Sequence, residues 1–335
     1  MDSLTHLILG AAIGEAVLGR KIGRKAMLWG ALADTIPDFD VFAEPCYTEA
    51  QQLLVHRGIT HSFFFITIAS VLLGWLWSKW FKRSGVEMKS WTWLFFLGML
   101  THILLDSLTA YGTGWFEPFS SYRVSFNTIF VADPLYTLPF LICLLVALIA
   151  RNGSPVRRKW NAAGLWISSL YLVFTIFNHN HVESVMKDSF ARQNLKADEF
   201  TVTPTALNNF LWMAYTRDSS GAHIGYYSIF DKSKDISYYH LQRKDRLLEP
   251  YLGDRSVQLL KQFSKDNYII TTQDSGIYFN DLRFGQIGGW DGPDSAFVFT
   301  YRVDQQGGAK ALDRGRFKGS MKEAFTALAE RAAGR

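Results

Sequence analysis

Residues 56–80, HRGITHSFFFITIASVLLGWLWSKW, decide the fold class. A polar segment with two histidines and an arginine runs straight into eighteen residues whose first charge is Lys79. A run of that length and polarity fits a helix crossing a hydrocarbon core, which takes roughly 20 apolar residues. The histidines at its head then lie at a membrane–water boundary.

Working outward, segments 91–108 and 129–150 read the same way, and 162–177 is slightly shorter. Segments 4–18 and 26–36 are shorter still and glycine-rich. They are expected either to be partly re-entrant or to pack as a close hairpin, because Gly10 and Gly14 form a small-xxx-small face. The first half is thus expected to be a polytopic α-helical membrane domain with about six apolar segments, over residues 1–182.

Basic residues alternate between the connections. Arg20, Lys21, Arg24 and Lys25 follow the first segment. Lys79, Lys82, Arg83 and Lys89 follow the third, and Arg151, Arg157, Arg158 and Lys159 follow the fifth. The intervening loops hold only Arg57 and Arg123. The positive-inside rule makes the basic loops cytoplasmic and everything after residue 178 extracytoplasmic.

Residues 183–335 change character. Segments 210–217, 223–230, 268–272, 276–284 and 296–303 alternate or are aromatic-rich and are separated by Gly, Asp and Ser, which is hairpin patterning. Segments 257–263 and 321–329 have helical periodicity. A small extracytoplasmic α+β domain with an antiparallel sheet is expected. The mean hydropathy of only +0.02 reflects this division. A net charge of +5 without a basic, aromatic-interleaved patch gives no sign of nucleic-acid binding. Two cysteines, Cys46 and Cys143, imply no disulfide framework.

Ionisable residues in or beside membrane segments are costly and are functional candidates by default. Here they fall in four clusters. Asp2 and His6 stand four apart, as do His102 and Asp106, so each pair shares one helix face. Asp34, Asp38 and Asp40 surround Pro37 in ADTIPDFD, and His56, Arg57 and His61 lie in HRGITHS. In the six-segment topology all four reach the same membrane face. Imidazole and carboxylate are the usual ligands of zinc and similar divalent ions. Asp2, His6, Asp34, Asp38, His56, His61, His102 and Asp106 are therefore candidate ligands, with zinc expected and manganese the alternative. Asp38, Asp40 and Arg57 are candidate catalytic groups. A carboxylate would take a proton from a metal-bound water, and the guanidinium would hold a phosphate oxygen.

The order DSLTH, PDFD, HRGITHS, HILLDSLTAYGT, PFS resembles the YdjM-like family of inner-membrane-associated metal-dependent hydrolases over about residues 1–180. The later stretches TPTALNNFLW and GYYSIFD are similar to the tail of longer members. The resemblance implies a multi-pass protein of the bacterial inner membrane and a hydrolase. A more distant similarity is to zinc-dependent phospholipases C. It implies metal ligands at Asp2 and His6, Asp38, His56 or His61, and His102 with Asp106. The chain departs from that pattern in lacking a clear second HxxxE helix after His102. The expected activity is hydrolysis of a phosphoester in a membrane lipid or other amphiphile at the outer membrane–water boundary. The rival readings are an ion- or proton-coupled transporter and a non-catalytic, metal-stabilised scaffold.

Overall fold

The computed structural model describes residues 1–195, 200–273, 276–304, 308–311 and 321–335. The chain forms two compact units. One comprises Met1–Glu44 and Val55–Ile176, the other Pro45–Leu54 and Phe177–Arg335.

The first unit is helical. Helix α1 (Ser3–Ile22) begins where the Asp2 carboxylate accepts the Thr5 amide at 3.0 Å, and it ends at Gly23, whose φ is +61°. Helix α2 (Lys25–Thr35) folds straight back on it. Glycine makes this hairpin possible. A Cβ on Gly14 would lie 2.0 Å from the Ala26 carbonyl oxygen, and one on Gly30 would lie 2.1 Å from that of Gly10. A 3₁₀ segment, Pro37–Cys46, and a short 3₁₀ turn, Ile59–His61, lead to α4 (Phe63–Trp80); α3 (Glu49–Val55), between them in sequence, belongs to the second unit up to Leu54. The bundle continues with α5 (Met88–Ser107) and α6 (Pro134–Ile149), then enters α7 (Pro155–Arg192).

The expectation of about six membrane segments is corrected. Among the described residues, two helices are long and apolar enough to cross a membrane: α4 and α7. Only 17% of the apolar window of α4 and 22% of that of α7 is buried, so neither is a core helix sealed in protein. Phe64, Ile68, Val71, Leu72 and Trp75 stay exposed along α4. The other segments miss for physical reasons. At 1.5 Å per residue, α2 is about 16 Å long and α6 about 24 Å, against a core of about 30 Å. Helix α1 carries Glu15, Arg20 and Lys21. Helix α5 carries Lys89, His102 and Asp106, and its Trp91, Leu94, Phe95, Met99 and Ile103 are buried in the bundle. Hydrophobicity there serves helix packing.

Glu15 is buried against Arg157 at the start of α7, whose Nε donates to Oε1 at 2.7 Å. The Arg157 guanidinium also donates to Asn152 Oδ1 at 2.7 Å.

The second unit holds two antiparallel four-stranded sheets, each in simple sequential order. The first is β1 (Phe200–Pro204), β2 (Leu211–Arg217), β3 (Gly221–Ser228) and β4 (Tyr238–Gln242). The second is β5 (Tyr268–Gln273), β6 (Gly276–Asp281), β7 (Thr300–Asp304) and β8 (Gly308–Ala311). Helices α8 (Arg255–Ser264) and α9 (Met321–Ala332) complete it. Strand β2 is buried on both faces. Leu211, Met213 and Tyr215 join one core with Ile224, Ile269 and Leu282. Trp212 and Ala214 face the other way, into a core with Val182, Met186 and Phe190 of α7.

Candidate metal centre

Two glycines bring the polar residues of the first unit together. A Cβ on Gly10 of α1 would lie 2.4 Å from Asp34 Cβ, and one on Gly98 of α5 would lie 2.8 Å from Ala33 Cβ and 3.2 Å from the Asp34 amide. Both helices therefore close on the end of α2, and His6, Asp34, His102 and Asp106 share a buried layer. Pro37 then turns the chain so that Asp38 and Asp40 follow on the 3₁₀ segment. His61 enters from the turn before α4, with Ser62 capping that helix through the Phe65 amide at 3.1 Å.

Four donor atoms converge. His61 Nε2 and His102 Nε2 are 3.1 Å apart. Asp38 Oδ1 is 3.4 Å from each of them, and Asp106 Oδ2 is 3.5 Å from each. A tetrahedral zinc ion with bonds of about 2.0–2.1 Å has ligand–ligand edges of roughly 3.3 Å. The five spacings straddle that value.

The chemistry of the set agrees with the geometry. The Nδ1 atoms of both His6 and His102 face Asp34 Oδ2, at 3.0 and 3.3 Å. With its Nδ1 committed there, His102 turns Nε2 toward the other donors. His61 Nδ1 faces Thr60 Oγ1 at 3.0 Å and Asp40 Oδ2 at 3.5 Å, which turns its Nε2 the same way. The two Nε2 atoms face each other at 3.1 Å, a spacing at which either a shared proton or a cation lies between them. Asp106 Oδ2 is a buried oxygen that accepts no hydrogen bond, although Arg57 Nε lies 3.1 Å away. An orphaned carboxylate oxygen and two imidazole nitrogens at tetrahedral spacing fit a divalent ion.

The charge states are mixed across the set: burial lowers the pKa of His102, but hydrogen bonds to Asp106, Asp34 and Asp38 outweigh it and hold it well above the usual imidazole value, so an ion binding here must displace a proton from this ring. Burial lowers the pKa of His61 and keeps its imidazole neutral, the form that binds metal. Burial pushes the Asp38 carboxyl up, but hydrogen bonds from His102 and His61 outweigh it and hold the group far below the usual carboxylate range. Burial likewise opposes ionisation of Asp40 and is outweighed only by the His56 hydrogen bond together with the His61 and His56 charges and the Arg57 amide.

The other sequence candidates surround this set. His6 has a carboxylate oxygen at each ring nitrogen: Asp34 Oδ2, and Asp106 Oδ1 at 3.2 Å. The Met1 amine also meets Asp106 Oδ1. Both oxygens of Asp40 are engaged, Oδ1 by His56 Nδ1 at 3.0 Å and Oδ2 by the Arg57 amide at 3.0 Å and Thr60 Oγ1 at 3.1 Å. Arg57, at φ +59°, is buried, with Nη1 donating to Thr109 Oγ1 at 2.8 Å and its guanidinium over the Tyr111 ring. Asp2 stands apart as the α1 cap, its Oδ2 accepting Thr5 Oγ1 at 2.6 Å. Asp38 and His56 are the accessible members, with side chains 25% and 28% exposed.

Residues that the sequence did not single out as site partners complete the frame. Thr109 anchors Arg57, and Thr101 reaches Asp34 Oδ1 at 3.4 Å. Arg123 donates to the His56 carbonyl at 3.0 Å, and the Gly114 amide to that of Arg57 at 2.9 Å, so segment 111–124 holds the HRGITHS loop in place. Neither Thr109 nor Arg123 stands out in the sequence, since a threonine just past a helix and a lone loop arginine look like ordinary boundary residues.

Three comparisons bear on identity. Residues 1–182 match the family described as YdjM inner membrane protein. The chain is 29% identical over 123 residues to the inner membrane protein YbcI of Escherichia coli (strain K12), covering 36% of this chain and 69% of that protein. It is 28% identical over 180 residues to the uncharacterized protein YfhP of Bacillus subtilis (strain 168), covering 52% of this chain and about half, 51%, of that protein. No solved structure matches. The matched residues contain the whole His/Asp cluster, and the chain belongs to the YdjM inner membrane protein family.

Proposed function

We propose that this protein is a metal-dependent hydrolase that cleaves a phosphoester of an amphiphilic substrate at the membrane–water boundary. The observation that carries the reading is the set of four donor atoms, His61 Nε2, His102 Nε2, Asp38 Oδ1 and Asp106 Oδ2, at tetrahedral spacing, with one of the four partly open to solvent. These residues would hold the ion, and zinc suits their mixed nitrogen and oxygen donors. When bound, the ion supplies a water acidified toward neutrality and a Lewis acid for a phosphoryl oxygen.

The chain's own residues divide the remaining work. Asp34 orients His102 directly, and Asp40 orients His61 through the Thr60 hydroxyl, as outer carboxylates do in metal sites. Asp38 is the one of the four donors whose side chain is partly exposed, so it would form the open edge of the site. His56 is the proton acceptor at the open edge. Its Nδ1 is committed to Asp40, which leaves Nε2 as the ring atom that exchanges a proton. Arg57 balances the charge of Asp106 and shapes the pocket wall beside Thr109.

Support for an amphiphilic substrate comes from the rim. Phe39, Val41 and Phe42 flank Asp38 and Asp40 in sequence and are exposed; so are Ile59 next to His61, and Phe116 and Phe119 in the neighbouring loop. Phe119 packs edge-on against Phe64 at the head of α4, with ring centroids 5.5 Å apart. Exposed aromatics around a buried polar centre suit entry into the interfacial layer of a bilayer. The basic residues near α4 and α7 lie at the far end of α4 and the near end of α7, which supports an orientation with the His61 end of α4 on the outer face of the inner membrane.

The test is hydrolysis of phospholipid and polyprenyl-phosphate in mixed micelles by the detergent-purified protein, followed by phosphorus NMR. Release of a phosphomonoester from phospholipid, or of inorganic phosphate from polyprenyl-phosphate, that is lost with chelator, restored by zinc and absent in His102→Ala is expected. No hydrolysis of any phosphoester by protein shown to hold the ion would overturn the reading in favour of a metal-stabilised scaffold.

A further inference from the structure

The first sheet of the second unit carries a separate cluster. The turn between β2 and β3 is built on Asp218, whose Oδ1 accepts the Ser220 amide at 2.7 Å, the Ser220 hydroxyl at 2.5 Å and the Gly221 amide at 3.0 Å. This fixes the carboxylate and leaves Oδ2 facing His223 Nε2 at 3.1 Å. His223 on β3 stands directly opposite His240 on β4 in the antiparallel register. Their ring centroids are 4.7 Å apart. His240 Nε2 also meets Ser220 Oγ at 3.0 Å. One ligand atom from each of Asp218, His223 and His240 lies within 4.8 Å of the others.

We propose that Asp218, His223 and His240 form a second divalent-metal site, independent of the helical centre. Three features carry it. A cross-strand pair puts two imidazoles side by side on one sheet face, where two protonated rings would repel. A carboxylate locked by a turn completes a two-histidine, one-carboxylate set, which suits zinc, copper, nickel or iron and leaves positions open for water or an external ligand. Glycine at position 221 makes room: a Cβ there would lie 2.8 Å from His240 Nε2 and 1.9 Å from the Leu241 carbonyl oxygen. His240 is also reachable, because it lines an open cavity of about 1160 Å³. Four cations line the cavity wall, Arg243, Lys244, Arg246 and Lys261; Arg243 is paired with Asp245 at 2.6 Å and Lys261 with Asp266 at 3.7 Å.

The test is calorimetric titration of Zn²⁺ into the full-length, chelator-stripped protein in detergent. It is run in a His56→Ala/His61→Ala/His102→Ala background, which removes at least one histidine from each candidate group of the helical unit. One equivalent of zinc, lost in His223→Ala and in His240→Ala, is expected. Asp218→Asn, which retains an acceptor for the turn, should weaken binding about tenfold or more. Copper EPR in the same background, with no further substitution, keeps the test open should the histidine variants misfold. Coupling to two nitrogens supports the site, and an aqueous-type copper spectrum overturns it. Zinc binding unchanged by His223→Ala and His240→Ala in folded protein also overturns it, leaving Asp218 and His223 as a turn-stabilising pair.

Discussion

Asp34 is the sharpest point at which to perturb the helical centre without touching the four converging donors. It is fully buried and its Oδ2 takes Nδ1 of both His6 and His102, at 3.0 and 3.3 Å, while Oδ1 meets Thr101 at 3.4 Å. Removing an outer partner of a metal-bound histidine costs about 10–100-fold in affinity, or roughly 1.4–2.7 kcal/mol. The His102 contact is long for an N–H···O bond, so Asp34→Asn, which can keep an acceptor toward the histidines, should fall near tenfold. Asp34→Ala strands two imidazole N–H groups and should approach a hundredfold. Competition with a fluorescent zinc chelator measures both. The expected pattern is a graded loss of affinity with unchanged stoichiometry. Unchanged affinity in Asp34→Ala would refute the supporting role. Loss of one whole ion would instead make Asp34 a direct ligand, with His6 and His102, of a further metal.

Further predictions follow from the packing. Arg157→Met alone should lower stability by about 3–5 kcal/mol, because it leaves Glu15 charged and buried, and Glu15→Leu/Arg157→Met should recover most of that; thermal unfolding in detergent reads both. Gly14→Ala must push α2 from α1 by about 1 Å or more, given the 2.0 Å approach to the Ala26 carbonyl, and should reduce melting temperature and zinc affinity together. Replacing Phe42 and Phe119 by serine should raise the KM for a micellar lipid several-fold and leave hydrolysis of a short-chain soluble phosphoester nearly unchanged, as seen in parallel kinetic assays.

The parts of this molecule that were legible in its sequence are those set by local spacing. Four-residue steps put His102 and Asp106 on one helix face, and both reach the same point at 3.5 Å. Gly10 and Gly14 signalled a close hairpin, and Gly14 meets Ala26 and Gly30. Alternation and turn residues marked the sheets of the C-terminal part. What depends on burial was not legible. The apolar run of α5 looks like a membrane span, but its hydrophobic residues line the bundle interior. Asp40 looks like a spare carboxylate beside Pro37, but its oxygens are consumed by the loop that carries His56 and Arg57. Asp2 reads as a partner of His6, yet a helix start needs an acceptor, and Asp2 supplies it. The pairing of His223 with His240 requires the register of β3 on β4, which no single-strand pattern specifies.

The central claim is that His61, His102, Asp38 and Asp106 hold a metal ion. Metal analysis of the detergent-purified protein by plasma mass spectrometry tests it most directly, comparing wild type with His61→Ala and with His102→Ala/Asp106→Ala. The account predicts at least one zinc or manganese ion per chain in wild type that both variants lose while remaining folded. A folded wild type that carries no ion dependent on these residues, even after dialysis against divalent metals, would contradict it.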